Sequence, residues 1–335
     1  MRSRSPRSVA LLAVAALAVP LGPAHAQPPA TDISLLELST EPAPAVRSLV
    51  PVTSRDRYDN QPAFLEDGSL LYTAARDDGT TDIVRWEPDT GRVTPVVTTP
   101  QSEYSPTPIP GRRAISVVRD FGATRGRAQD QELWSFPLPP AASASPDAVS
   151  PEAESPEAES LEAESPGDAG GPALLLPDVN PVGYHAWVDG ERLLLFVLGE
   201  PPTLRLATVG PGPGTVLEHE PGRALARLPG SAEMTFVHKL ADDDWRLIAI
   251  DPTAVGDRSR RELARMEPPH EDYAIAPDGA LWTGRGSRLL RLRPGVDGDW
   301  SPALDLSTHG IDGITRLAFD ATGRRLAVVH DHAPR

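Results

Sequence analysis

The stretch Tyr58-Asp59-Asn60-Gln61-Pro62-Ala63-Phe64-Leu65, followed by Glu66-Asp67-Gly68-Ser69 and Leu70-Leu71-Tyr72-Thr73-Ala74, decides the fold. It reads as two short apolar strands joined by an Asp-Gly turn. Asp-Gly between alternating strands is a strong hairpin signal, because glycine and aspartate tolerate the positive φ that tight turns demand. Arg76-Asp77-Asp78-Gly79 turns the chain again into Asp82 to Trp86. Pro88-Asp89-Thr90-Gly91 then turns it into Arg92 to Thr98. Four antiparallel strands in about 46 residues make one blade of a β-propeller.

The unit repeats. Thr31-Asp32-Ile33, Val50-Pro51-Val52-Thr53 and Tyr58 return as Thr81-Asp82-Ile83, Thr94-Pro95-Val96-Val97-Thr98 and Tyr104-Ser105-Pro106. A second blade is expected from Tyr104, with Ala114 to Arg119 and Glu132 to Pro137 as its middle strands. A third follows from near Asn180 to His219, a fourth from Gly222 to about Met266 and a fifth from Asp272 to Leu306. Gly210-Pro211-Gly212-Pro213-Gly214 reads as a hairpin loop of the third. The chain then ends on two strands, Thr315 to Phe319 and Arg324 to Val329. It begins on two others, Asp32 to Leu38 and Arg47 to Thr53. Together these complete a sixth blade, so the expected architecture is all-β, a six-bladed propeller closed by strands from both termini. Closure removes exposed sheet edges. The 38 prolines and 27 glycines fit a fold punctuated by turns.

Two segments stand outside this pattern. Arg2, Arg4 and Arg7 precede an apolar run from Val9 to Leu21 and Ala24-His25-Ala26, the build of a cleavable secretory signal. The run is shorter than the roughly 20 residues that span a bilayer. The expectation is export, to the periplasm or outside the cell, without membrane insertion after cleavage. Residues 141–171 repeat Ser-Pro-Glu-Ala-Glu with small changes, carry eight acids and no Lys or Arg, and have few apolar side chains. They are expected to be a disordered acidic insertion between the third and fourth strands of the second blade.

Composition narrows the chemistry. The chain has no cysteine, so disulfides, thiolate metal sites and cysteine nucleophiles are excluded. Its net charge of −15 disfavours nucleic acid and anionic membrane as partners. Lys239 is the only lysine. No Gly-x-Ser-x-Gly elbow or phosphate-binding loop is present.

The segments Tyr58 to Phe64, Glu66 to Ser69, Leu71-Tyr72-Thr73 and Thr81-Asp82-Ile83 resemble the WD-like propeller repeat of the TolB type. Pro181 to Trp187 and Leu195 to Gly199 look like an uncharacterised group of exported bacterial TolB-like proteins. The resemblance implies a periplasmic propeller that binds protein partners, here without the N-terminal α/β domain of TolB itself.

Propellers bind ligands where the loops leading into the innermost strands meet over the channel. Those loops carry Tyr58, Asp59, Asn60, Glu103, Tyr104, Tyr184, His185, Arg223, His270, Glu271, Asp272, Asp312 and Arg316. They form the candidate binding ring; each residue is alternatively a turn cap, a packing tyrosine or a solvated charge. His185 is a structural histidine, a metal ligand or a general base. Glu103 and Asp272 are a candidate acid–base pair across the channel. His330-Asp331-His332 is expected to fray with the chain end. No metal or cofactor motif emerges. The reading taken forward is a monomeric, non-catalytic protein binding a peptide, protein or small ligand at the channel mouth. A lyase or hydrolase built on His185, and a structural envelope protein with an apolar channel plug, are the alternatives. If export is correct, protein recovered from the periplasm begins at Gln27 by intact mass; a mass retaining residues 1–26 would contradict the cleavage site.

Overall fold

The computed structural model describes residues 28–39, 43–123, 127, 129–140, 171–254 and 260–332. The expected leader and the acidic repeat of 141–170 lie outside them. Strands β1 (Thr31–Ser39) and β2 (Ala45–Pro51) open the chain. The first whole blade holds β3 (Asp59–Phe64), β4 (Leu70–Ala75), β5 (Thr81–Trp86) and β6 (Val93–Val97). The second holds β7 (Ser102–Pro108), β8 (Ala114–Asp120), β9 (Gln131–Pro137) and the short β10 (Ala173–Leu174). The third comprises β11 (Val182–Trp187), β12 (Arg192–Val197), β13 (Thr203–Thr208) and β14 (Thr215–His219). The fourth comprises β15 (Pro221–Arg227), β16 (Met234–Ala241), β17 (Asp244–Ile250) and β18 (Arg260–Met266). The fifth comprises β19 (Ala274–Ile275), β20 (Leu281–Arg285), β21 (Arg288–Leu292) and β22 (Ser301–Asp305). Strands β23 (Arg316–Phe319) and β24 (Arg325–Asp331) then join β1 and β2 in one sheet, in the order β2-β1-β24-β23. Six four-stranded antiparallel sheets result, as the repeat predicts.

Alternation along each strand explains how the blades stack. Side chains of successive strand residues point to opposite faces, so each sheet needs apolar residues on both. In β1, Ile33 and Leu35 pack with Leu70, Tyr72, Ala74 and Trp86 of the first whole blade. Leu36 and Leu38 pack with Ala280, Trp282 and Leu289 of the fifth. Four further apolar clusters fill the remaining interfaces in turn. The fold therefore has one core cluster between each pair of neighbouring blades.

Ring closure is a strand pairing. Strand β1 runs antiparallel to β24 from Thr31 opposite Asp331 to Glu37 opposite Arg325. The end does not fray, contrary to the expectation for His330-Asp331-His332. His330 is buried and its Nε2 lies 2.9 Å from Ser34 Oγ, while His332 Nδ1 lies 2.8 Å from Asp32 Oδ2. These histidines are closure residues.

The repeated Thr-Asp-Ile also gains a physical meaning. Thr31 Oγ1 donates to the Asp59 carbonyl and Thr81 Oγ1 to the Glu103 carbonyl, both at 2.8 Å. Each latches the third strand of one blade to the first strand of the next. This corrects the repeat register. Asp59 is equivalent to Glu103, and the left-handed Gln61 (φ 57°) is equivalent to Ser105 (φ 56°), each followed by a proline. Tyr58 and Tyr104 therefore differ by two positions in the repeat.

Leu36→Ala, which hollows the closing interface at a fully buried side chain, is expected to cost about 2–5 kcal/mol of unfolding free energy. Val296→Ala, at a side chain 70% exposed, is expected to stay within about 0.5 kcal/mol. Denaturant titration of both variants checks this; equal effects would contradict the assigned core.

Candidate functional site

The innermost strands β3, β7, β11, β15, β19 and β23 touch their ring neighbours all the way round. Near their leading ends, one side chain from each blade enters a common cluster: Tyr58, Tyr104, Tyr184, Arg223, Asp272 and Arg316. The Tyr58 and Tyr104 rings meet edge to face with centroids 6.5 Å apart. The Arg316 guanidinium lies 5.2 Å from the Tyr184 ring centroid, a cation–π contact. Arg223 Nη2 donates to Asp272 Oδ2, and Arg316 Nη2 lies 3.6 Å from Asp272 Oδ1. One carboxylate thus sits between two guanidinium groups.

Glu271 extends the charged side. Its Oε2 is 2.8 Å from Lys239 Nζ and accepts the Arg223 backbone N–H at 3.2 Å. Gly222 makes that approach possible, because a Cβ there would stand 2.9 Å from the same oxygen and 2.9 Å from Val237 Cβ. Lys239 lies over Trp245, 4.4 Å from the ring centroid. The mouth is thus aromatic on the side of the first three blades and ionic on the side of the others. A groove of about 380 Å³ lined by Pro28, Asp56, Arg57, Arg76 and Asp77 opens beside Tyr58.

Burial sets the ionisation of this cluster. It raises the Tyr58 phenol above its ordinary range, so the ring stays neutral. Burial also works against the charge on Arg223, but the Coulombic attraction and hydrogen bond of Asp272 outweigh it and the guanidinium is held more firmly charged. The same balance, with Asp272 foremost among the opposing groups, holds for Arg316.

Asp59, Glu103 and His185, each one residue from a mouth tyrosine, face away from the mouth, and the two-residue period of a strand is the reason. Glu103 points away from Tyr104 into the interface of the first and second whole blades. It is fully buried, accepts from Thr99 Oγ1 and lies 3.6 Å from Arg119 Nε. Its Oε2 has no hydrogen-bond partner. Asp59, its equivalent, is likewise buried and paired with Arg55, whose Nε donates at 3.0 Å. Asn60 is buried against Thr31, and its Oδ1 accepts from the Gln61 backbone N–H at 2.7 Å.

His185 points away from Tyr184 and is buried, with Nε2 2.7 Å from Ser116 Oγ. Ser116 Oγ also accepts from Trp187 Nε1 at 2.9 Å. Burial pushes the imidazole down to about 3, so it is neutral. His185, Glu103 and Asp272 engage different partners and do not form an acid–base pair. Among the described residues no group of three or more His, Asp or Glu side chains is arranged to hold a metal ion. His270 forms only a backbone turn, its N–H donating to Glu267 O at 2.9 Å, and Asp312 Oδ1 caps its own loop at Gly313 N. Lys239 was missed because it belongs to a second strand, β16; its uniqueness in the sequence was the available signal.

No protein-family model matches this sequence, and no curated protein matches it significantly. Solved structures do resemble it. A protein assigned as TolB from Agrobacterium tumefaciens superimposes with a TM-score of 0.60 at 13% identity, over 90% of this chain and 97% of that one. TolB from Acinetobacter baumannii gives 0.49 at 13% identity over 91% of this chain, which spans 64% of that relative's length. The PQQ-bound aldose sugar dehydrogenase of Streptomyces coelicolor gives 0.48 at 16% identity, over 91% and 99% of the two chains. The likeness to the Agrobacterium protein is one of fold: this chain has a TolB-type six-bladed propeller.

Buried Glu103 makes a pH prediction. Desolvation raises its carboxyl to about 7, against a hydrogen bond from Thr99 and the charge of Arg119, with Asp82 adding to the rise and Arg76 opposing it. The folded chain then holds a proton that the unfolded chain releases at about 4.3. Folding stability from this group therefore falls as pH rises from about 4.3 to 7. Glu103→Gln removes the penalty. Its stability advantage over the parent is expected to be near zero at pH 4 and to grow to as much as about 4 kcal/mol at pH 8. Denaturant midpoints across that range test this; a constant difference would contradict it.

Proposed function

We propose that this chain is an exported, non-catalytic binding protein whose channel mouth takes a peptide or protein partner of the cell envelope. The observation that carries this reading is the convergence of Tyr58, Tyr104, Tyr184, Arg223, Asp272 and Arg316, one from each blade, on one mouth. Aromatic and arginine side chains are the types that dominate binding energy at interfaces. The apolar plug required by a purely structural role is not what these six side chains make. The enzymatic alternative needs His185 to meet Glu103 or Asp272, and each is engaged elsewhere.

The TolB-type fold, shared with the Agrobacterium structure, supports a protein partner by analogy of fold alone. The leader-like N-terminus supports export, and the net charge of −15 supports a partner other than nucleic acid. No described helix is long and apolar enough to cross a membrane. The propeller acts as a monomer in this reading, since one ring supplies all six contributors.

Selection of a displayed peptide library on the mature protein tests the proposal. Recovered peptides are expected to lose at least about tenfold in affinity on Tyr104→Ala or Arg316→Gln, and to keep it on Arg293→Gln, which alters an exposed rim pair with Asp297. Binders indifferent to both channel substitutions would sink the proposal.

A further inference from the structure

Arg316 has an unusual position for a cation. Its side chain is only 20% exposed, yet its guanidinium makes no hydrogen bond among the described residues. Its ion-pair partner, Asp272 Oδ1, stands at 3.6 Å, beyond hydrogen-bond reach, and the other Asp272 oxygen is taken by Arg223. A guanidinium carries five N–H donors in a planar fork. Here the protein supplies a π face, that of Tyr184, and no bonded acceptor. Arg223 repeats the feature on a smaller scale: its Nε is buried without a hydrogen-bond partner, with Glu271 Oε1 at 3.6 Å.

The three tyrosines complete the donor set. The hydroxyls of Tyr58, Tyr104 and Tyr184 make no side-chain hydrogen bond among the described residues, whereas Tyr273 OH, inside a blade interface, bonds Thr235 Oγ1 at 2.7 Å. The mouth therefore offers several donors that the protein itself does not engage, Arg223 Nε among them.

Charge selects the acceptor. Arg223, Arg316 and Lys239 face Asp272 and Glu271 across the mouth, leaving one positive charge in excess. A single negative charge neutralises it. A dianionic phosphate would overshoot it. A carboxylate matches the guanidinium fork with two parallel hydrogen bonds.

Resting on the binding role proposed above, we infer that the channel mouth recognises its ligand through a carboxylate, clasped by Arg316 and flanked by the hydroxyls of Tyr58, Tyr104 and Tyr184. The carboxylate belongs to the C-terminus of the partner segment or to one of its acidic side chains.

The minimal probe is acetate, with acetamide as its neutral isostere, followed by ligand-observed NMR on the full mature protein. The parent chain is expected to broaden acetate saturably and to leave acetamide unchanged. Arg316→Gln is expected to weaken acetate binding about tenfold or more, Arg316→Lys less, and Tyr184→Phe to weaken it while leaving the circular dichroism spectrum intact. Equal acetate broadening by parent and Arg316→Gln, or none by the parent, would overturn the inference.

The selected peptides separate the two sources. Loss of binding on C-terminal amidation assigns the terminus, loss on Glu→Gln or Asp→Asn in the peptide assigns a side chain, and loss on neither contradicts the inference. If acetate fails while peptide capture still depends on Tyr104, only the carboxylate assignment falls. If peptides bind independently of the channel, the binding role falls and the acetate result still stands by itself.

Discussion

The pairing of β1 with β24 is the constraint on which the rest depends. Without it, the chain would have an open strand edge at each end and two apolar faces without partners. When Thr31 to Glu37 pair with Asp331 to Arg325, the closing sheet forms between the first and fifth whole blades. Ile33 and Leu35 then cover one neighbour, and Leu36 and Leu38 the other. The same event sets β23 beside β3, which brings Arg316 from the end of the chain to Tyr58 and Tyr184. The candidate site is therefore a product of closure, because no single blade owns it.

Polar chemistry is sorted by face. Residues at the mouth keep spare hydrogen-bonding capacity, whereas polar residues turned into the blade interfaces serve as latches. Thr31 and Thr81 bind carbonyls of the next blade, His330 meets Ser34, and His185 meets Ser116. Asp59 and Glu103 are the costly members of this second group, since burial raises both carboxyls. Arg55 compensates Asp59 with a direct ion pair; Glu103 has a more distant guanidinium and one oxygen without a partner.

Blade number and termini-sharing were legible because turn chemistry and Thr-Asp-Ile are local signals. Strand order followed from them with small shifts at the ends. The site was half legible. Adjacent pairs such as Glu103–Tyr104 and Tyr184–His185 cannot both face the channel, and period two assigns one of each pair. Which one depends on where a bulge sits, and the left-handed Gln61 and Ser105 that set it have no glycine to announce them. The tie-down of His330 and His332 was hidden for a different reason. Their partners, Ser34 and Asp32, lie at the opposite end of the chain. Glu271 was visible, but the gap at Gly222 that admits it was not.

In the proposed role, six side chains from six blades act as one binding surface. Hydrogen exchange of the mature protein, with and without a channel-selected peptide, tests it most directly. Simultaneous protection is expected for segments 58–61, 102–106, 182–186, 221–224, 270–275 and 313–317, with outer strands such as β6 and β14 unchanged. Protection confined to one blade, or appearing mainly on the outer strands, would contradict it.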